Sequence, residues 1–257
     1  MPTVRFETDD RGVATITLAR PEKKNAFDAT LIAELTAAAR SIDAKTRCAV
    51  LRAEGDTFCA GADLAWMGAL VGASRETNLA DARDMAAMYA ALDEIPVPLV
   101  ARVQGSAFGG GAGLVAIADI AIASRDAVFG FSEVRVGILP SVVSPYVVRK
   151  IGVANATAAF TSGVRFDAAR ANAMGLVQSV ESAEGLDHAV EHFVEAVLAG
   201  SPAAVRQAKQ LVRDVAGQAP ADVRELTVER IADIRVSPEG QEGLRAFLDR
   251  RAPHWRD

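Results

Sequence analysis

The chain has 257 residues, is 50% hydrophobic and 24% charged, and carries a formal net charge of −5, which allows a full core and leaves no excess of Lys and Arg for gripping nucleic-acid phosphates. No apolar run reaches the roughly 18 residues of a membrane span, and Met1 to Asp10 lacks the apolar centre of a signal peptide, so neither anchor nor export is expected and a cytoplasmic location is. Two cysteines, Cys48 and Cys59, offer neither a disulfide framework nor zinc-ligand spacing.

Val13 to Leu18 alternates and predicts a strand, closed by Arg20, Pro21 and a polar run to Asn25. Asp28 is placed to cap a helix through Arg40, because Leu31, Ile32, Leu35, Ala38, Ala39 and Ile42 recur at helical spacing. Cys48–Leu51 predicts a buried strand. Phe58–Asp63 predicts a loop tightened by Gly61, with a helix starting near Leu64. A helix over Thr77–Leu92 presents Leu79, Met85, Ala86, Tyr89 and Leu92 on one face and stops before Pro96 and Pro98. Leu99–Val103 predicts another buried strand, Ala112–Ala118 a packed helix, and Ile120–Ala123 and Ala127–Phe131 short strands. Helices are then expected over 145–151, 154–161 and 167–174, the last ended by Gly175, followed by a strand over 176–180 and helices over 185–198, 202–215, 221–234 and 238–250. Strands and helices alternate through two thirds of the chain and helices fill the rest, which predicts an α/β core with a helical C-terminal region, divided as residues 1–200 and 201–257.

Gly109, Gly110 and Gly111 leave a strand and open a helix, so backbone N–H groups at the helix start can face a ligand. The ligand could be a phosphate or a developing oxyanion, although no P-loop Lys follows and no G-x-G-x-x-G fits; close helix packing is the plain alternative. The loop Phe58 to Leu64 has the same small-residue character, and two such loops would supply the two amides of an oxyanion hole. Glu133 lies among Phe129, Phe131, Val134 and Val136. Apolar surroundings would raise its pKa toward the range of general acid–base work, while the alternation there equally allows it to face solvent. His188, Glu191 and His192 match H-x-x-E-H, but the apolar face of their helix runs through Leu186, Val190, Phe193, Val194 and Val197, leaving them on the solvated side without a third ligand. There is no G-x-S-x-G elbow.

The runs Phe58 to Leu64, Gly105 to Leu114, Ala118 to Ile120 and Phe131 to Pro140, in this order and spacing, together with Arg20, Pro21, Lys24, Asn25 and Ala26, resemble the crotonase (enoyl-CoA hydratase/isomerase) superfamily over nearly the whole chain. The resemblance implies a spiral of ββα units with a helical C-terminal trimerisation region, assembled as a homotrimer or hexamer, and an acyl-CoA thioester substrate, with no cofactor beyond that CoA and no metal. It further implies that the amides of Ala62 and Gly110 hold the thioester oxygen, that Glu133 carries the proton, and that Lys24, Ala26, Ala60, Asp63, Leu64, Phe108, Gly109 and Ser141 line the CoA and acyl path. Trp66, Met67, Met85, Tyr89 and Phe131 are further pocket candidates. Two-glutamate hydratases carry an acid where this chain has Gly113, so either Glu133 serves both steps, with a water fixed by backbone groups near Ser141, or the reaction needs one proton carrier. The pairing of Gly113 with Ser132 to Gly137 and Ser144 to Val148 looks most like the methylglutaconyl-CoA and carboxygeranoyl-CoA hydratase branch. The expected activity is hydration of a 2-enoyl-CoA, branched or carboxylated chains included; the alternatives are a Δ3,Δ2-enoyl-CoA isomerase and a non-catalytic acyl-CoA-binding protein.

Overall fold

The computed structural model describes residues 2–256. In chain order they form β1 (Val4–Thr8), β2 (Val13–Leu18), α1 (Ala29–Arg40), β3 (Cys48–Ala53), α2 (Leu64–Ala69), α3 (Arg75–Asp93), β4 (Leu99–Val103), β5 (Ala107–Phe108), α4 (Gly110–Ile117), β6 (Ile120–Ser124), β7 (Val128–Gly130), α5 (Ser144–Ser162), β8 (Phe166–Asp167), α6 (Ala168–Ala173), β9 (Ser179–Glu181), α7 (Leu186–Leu198), α8 (Pro202–Val215), α9 (Arg224–Val236) and α10 (Pro238–Leu248). Six strands pair in the order β1-β2-β3-β4-β6-β9, parallel except for the β1–β2 hairpin. A second sheet of three short strands runs β5-β7-β8.

Both faces of the large sheet are covered. Ile16, Leu18, Leu51, Leu99 and Ala101 face α1, α3 and α4 in the main core, whereas Val13, Cys48, Val50, Val100 and Ile122 meet Leu186, Val190 and Val194 of α7. Successive side chains on a strand point to opposite faces, so a strand covered on both sides must be apolar throughout. That is why β2, although it alternates in sequence, is buried along nearly its full length. The Asp28 cap forms as expected, its carboxylate accepting the Leu31 amide at 2.8 Å, and Leu31, Ile32, Leu35, Ala38 and Ala39 are buried.

Several expectations are corrected. β1 gave no sequence signal, since four of its five residues are exposed. The strand expected over 176–180 is Ser179–Glu181; Leu176 and Val177 are buried in the turn before it. The strand expected over 127–131 shortens to β7 and joins the small sheet. The helices expected over 145–151 and 154–161 are the two limbs of α5, broken at Gly152, whose φ of 75° and ψ of 163° are not helical. On α3, Met88 is buried in place of the expected Ala86, which is exposed.

The first C-terminal helix is fastened to the core by cations on carbonyls: Arg206 donates to Ala44 O at 2.7 Å, Lys209 to Val97 O at 2.8 Å and to the Asp119 carboxylate at 2.6 Å, and Arg213 to Asp93 O.

Candidate active site

The loop after β3 is stitched between two segments. Ala60 N donates to Lys24 O at 3.0 Å, Phe27 N to Gly61 O at 2.7 Å and Asp63 N to Phe27 O at 2.9 Å, while on the other side Cys59 N donates to Ser106 O and Phe108 N to Cys59 O. Cys59 thereby bridges Ala107, and Ala62 bridges Phe27. The start of α4 comes so close that a Cβ on Gly111 would sit 2.4 Å from Cys59 O. Gly61, at φ +91°, is restricted likewise, since a Cβ there would lie 2.9 Å from Phe108 O. Once these bonds are assigned, the amides of Ala62 and Gly110 have no acceptor among the described residues. Both residues wall the same cavity, of about 420 Å³.

Glu133 opens a short 3-10 turn, Glu133–Val136, just after β7. Its carboxyl lies against Gly109, where a Cβ would approach Oε1 to 2.9 Å. Oε2 is buried without a partner. Desolvation pushes the Glu133 pKa above the ordinary carboxyl value, and only its own backbone opposes the shift. A desolvated, unpartnered carboxyl therefore sits beside two free amide donors, an arrangement suited to stabilising an enolate and moving a proton.

At Gly113 a Cβ would lie 2.5 Å from Val143 Cγ1 and 3.2 Å from the Tyr89 hydroxyl. Any side chain here would collide with Val143 at its first carbon. Tyr89, fully buried, donates to Gly110 O at 2.7 Å and so braces the first turn of α4 from below.

Leu64, Met67, Met85, Ile138, Leu139 and Val142 give the cavity its apolar wall, and Asp81 and Glu133 are the ionisable side chains among its described residues. Of the predicted site residues, Glu133, Ala62, Gly110, Ala60, Leu64, Phe108, Gly109 and Ser141 come together here. Lys24, Ala26 and Asp63 do not line the cavity. Lys24 is exposed in a left-handed turn (φ 53°), and its carbonyl holds Ala60. Ala26 is buried with its carbonyl on Arg20. Asp63 is a structural group: its carboxylate caps α2 by accepting Ala65 N and pairs with Arg20 at 3.1 Å.

Among the pocket candidates, Met67, Met85 and Phe108 line the cavity. Tyr89 lies beneath it, Phe131 is buried edge-on against Phe160 and Trp66 packs on the core. Sequence reasoning missed Asp81 and Val143. An acid on a half-buried helix face has the same local signature as a solvated one, and a valine carries no chemical mark. His188 and His192 are exposed and Glu191 pairs with Arg11; no metal-ligating cluster occurs among the described residues. A larger open groove of about 980 Å³ near Trp255 shares no residue with this cavity and is walled partly by the ion-paired Arg11 and Asp9.

Residues 8–257 match the model of a family described as Enoyl-CoA hydratase/isomerase. A solved structure from Legionella pneumophila, described as an enoyl CoA hydratase/isomerase (crotonase), superposes with a TM-score of 0.94 at 41% identity, covering 99% of both chains. An enoyl-CoA hydratase structure from Shewanella pealeana has a TM-score of 0.93 at 39% identity, covering 98% of this chain and 96% of that one. Among curated relatives, the Mevalonyl-coenzyme A hydratase sidH of Aspergillus fumigatus is 32% identical, over 95% of this chain and 91% of its own length. No helix among the described residues is long and apolar enough to cross a membrane.

Proposed function

Because the chain belongs to the enoyl-CoA hydratase/isomerase family and shares its crotonase fold, we propose that it adds water across the 2,3 double bond of a 2-enoyl-CoA, with Glu133 as the proton carrier and the amides of Ala62 and Gly110 as the oxyanion hole. The observation that carries the reading is the unpartnered Glu133 carboxyl beside two unused amides in one cavity. The ionised carboxylate accepts a proton from water as the water oxygen bonds to C3. The π pair moves through C2 onto the thioester oxygen, where the two N–H groups meet the charge, and Glu133 then returns its proton to C2. One carboxyl performs both transfers because Val143 occupies the place of a second. The lone carboxyl also favours a second reading, Δ3,Δ2-enoyl-CoA isomerisation, in which the same group takes a proton from C2 and gives it to C4.

Incubation with crotonyl-CoA, 3-methylglutaconyl-CoA and a 3-enoyl-CoA separates these readings. Loss of the enoyl-thioester absorbance from either 2-enoyl substrate is the expected result; its appearance from the 3-enoyl substrate gives isomerisation, and absorbance unchanged with all three sinks both. The apolar wall suits a branched acyl chain, in keeping with the name of the Aspergillus relative. Ile231 and Val236, exposed on α9, and Phe247 and Leu248, exposed on α10, support assembly of three or six copies through this end of the chain. Light scattering at micromolar concentration is expected to give a trimer or hexamer mass, and a monomer mass would refute that assembly.

A further inference from the structure

We infer that Asp81 sets the acyl specificity of this cavity, favouring an enoyl chain whose far end is uncharged and donates a hydrogen bond, such as a hydroxyl, over one that ends in a carboxylate. The inference rests on the enoyl-CoA chemistry proposed above and names the chain that chemistry acts on. Tyr89, Met85 and Asp81 recur every four residues along α3. Tyr89 holds Gly110 at the oxyanion end, Met85 lines the cavity one turn away, and Asp81 lines it a further turn on. Eight residues of helix span about 12 Å, so Asp81 meets the cavity about that far along α3 from the residue that holds Gly110, away from the oxyanion end.

Asp81 is half-buried, with the Trp66 indole beside it as a donor that favours its charged form. An indole donates one hydrogen, whereas a carboxylate accepts at several positions, so acceptor capacity remains for a substrate. Burial pushes the Asp81 pKa up and the charge of Asp84 adds to this, while Trp66 holds it down. A chain that covers the carboxyl without donating to it leaves a desolvated acceptor unmatched, and a carboxylated chain adds like-charge repulsion. No Lys, Arg or His stands among the described residues that wall the cavity to receive such a chain.

Three 2-enoyl-CoA thioesters of equal chain length, ending in a hydroxyl, a methyl or a carboxylate, test this by their kcat/KM values. The protein is expected to prefer hydroxyl over methyl over carboxylate, with about 10- to 100-fold between first and last. Asp81→Asn should compress that range to a few-fold, and Asp81→Lys should raise the carboxylated chain above the methyl one. The ratio between chains is the readout, because loss of the Trp66 contact alone would lower all three values by a common factor. A ratio in Asp81→Asn equal to that of the unaltered protein, or a carboxylated chain preferred by the latter, overturns the inference. Turnover of none of the three would instead remove the hydratase reading on which it stands.

Discussion

Replacing Glu133 by glutamine is expected to lower kcat by about 10²- to 10⁴-fold, the usual worth of a positioned acid–base group, with little change in acyl-CoA binding. Glutamine keeps the shape of the side chain and removes the proton transfer. The pH dependence gives a second signature. Desolvation raises the folded-state pKa of Glu133 above its unfolded value, so its contribution to stability is fully present below the unfolded pKa and is lost as pH rises through the folded one. The amide of Glu133→Gln does not titrate. Thermal denaturation should therefore show the variant gaining on the unaltered protein as pH rises through the carboxyl range, even as its activity disappears. In the unaltered protein, kcat/KM should climb over the same interval, as the ionised carboxylate is the form that accepts the water proton. If Glu133→Gln retained full turnover with a 2-enoyl-CoA, the carboxyl would have no part in the chemistry.

Gly111→Ala is expected to be nearly as damaging, although Gly111 itself receives no substrate group in the proposed mechanism. A methyl at that position meets Cys59 O at 2.4 Å and Cys59 Cβ at 2.7 Å, and a backbone carbonyl held by Phe108 N cannot swing aside. Helix propensity favours alanine by about 1 kcal/mol, whereas overpacking of this kind costs about 1–3 kcal/mol, so the collision decides the sign. The strain is relieved only by moving α4 away from the loop that carries Ala62. Two donors that must converge on one oxygen then separate, and loss of a single oxyanion donor costs on the order of 10²- to 10³-fold in kcat. Gly68→Ala supplies the comparison: nothing lies within 4 Å of a Cβ there, within α2, so that variant should be as stable as the parent or slightly more so. Equal melting temperatures and rates for the two variants would disprove the account of Gly111.

The core elements were readable wherever one local rule governed them. β2 and β4 have the limits predicted for them, and Asp28 caps α1 as expected, because strand burial and helix capping are properties of a few neighbouring residues. β1 was invisible: a strand held by one partner and open to solvent needs no hydrophobic period. β9 was displaced because the apolar Leu176 and Val177 were taken for the ladder when they plug a turn.

The site divides in the same way. Its small residues and its acid were legible through the family resemblance, but their convergence depends on the contact of Gly111 with Cys59, which joins segments about fifty residues apart and leaves no trace in either. Asp63 lies in a segment that the resemblance places along the CoA path, and its carboxylate ties that segment down through Arg20. Tyr89, read as a pocket wall, braces the glycines from behind.

Val143 carries a consequence for how this chain can change. Its Cγ1 lies 2.5 Å from where the first carbon of any side chain at position 113 would be. Gly113→Glu alone would force a buried acid into an occupied volume, and trimming Val143 alone would leave a void. Each step is a loss by itself, and only the pair opens room for a second carboxylate. A two-acid site therefore lies across a fitness valley two coupled substitutions wide, and the single-acid form is held in place by neighbouring packing as much as by its own chemistry.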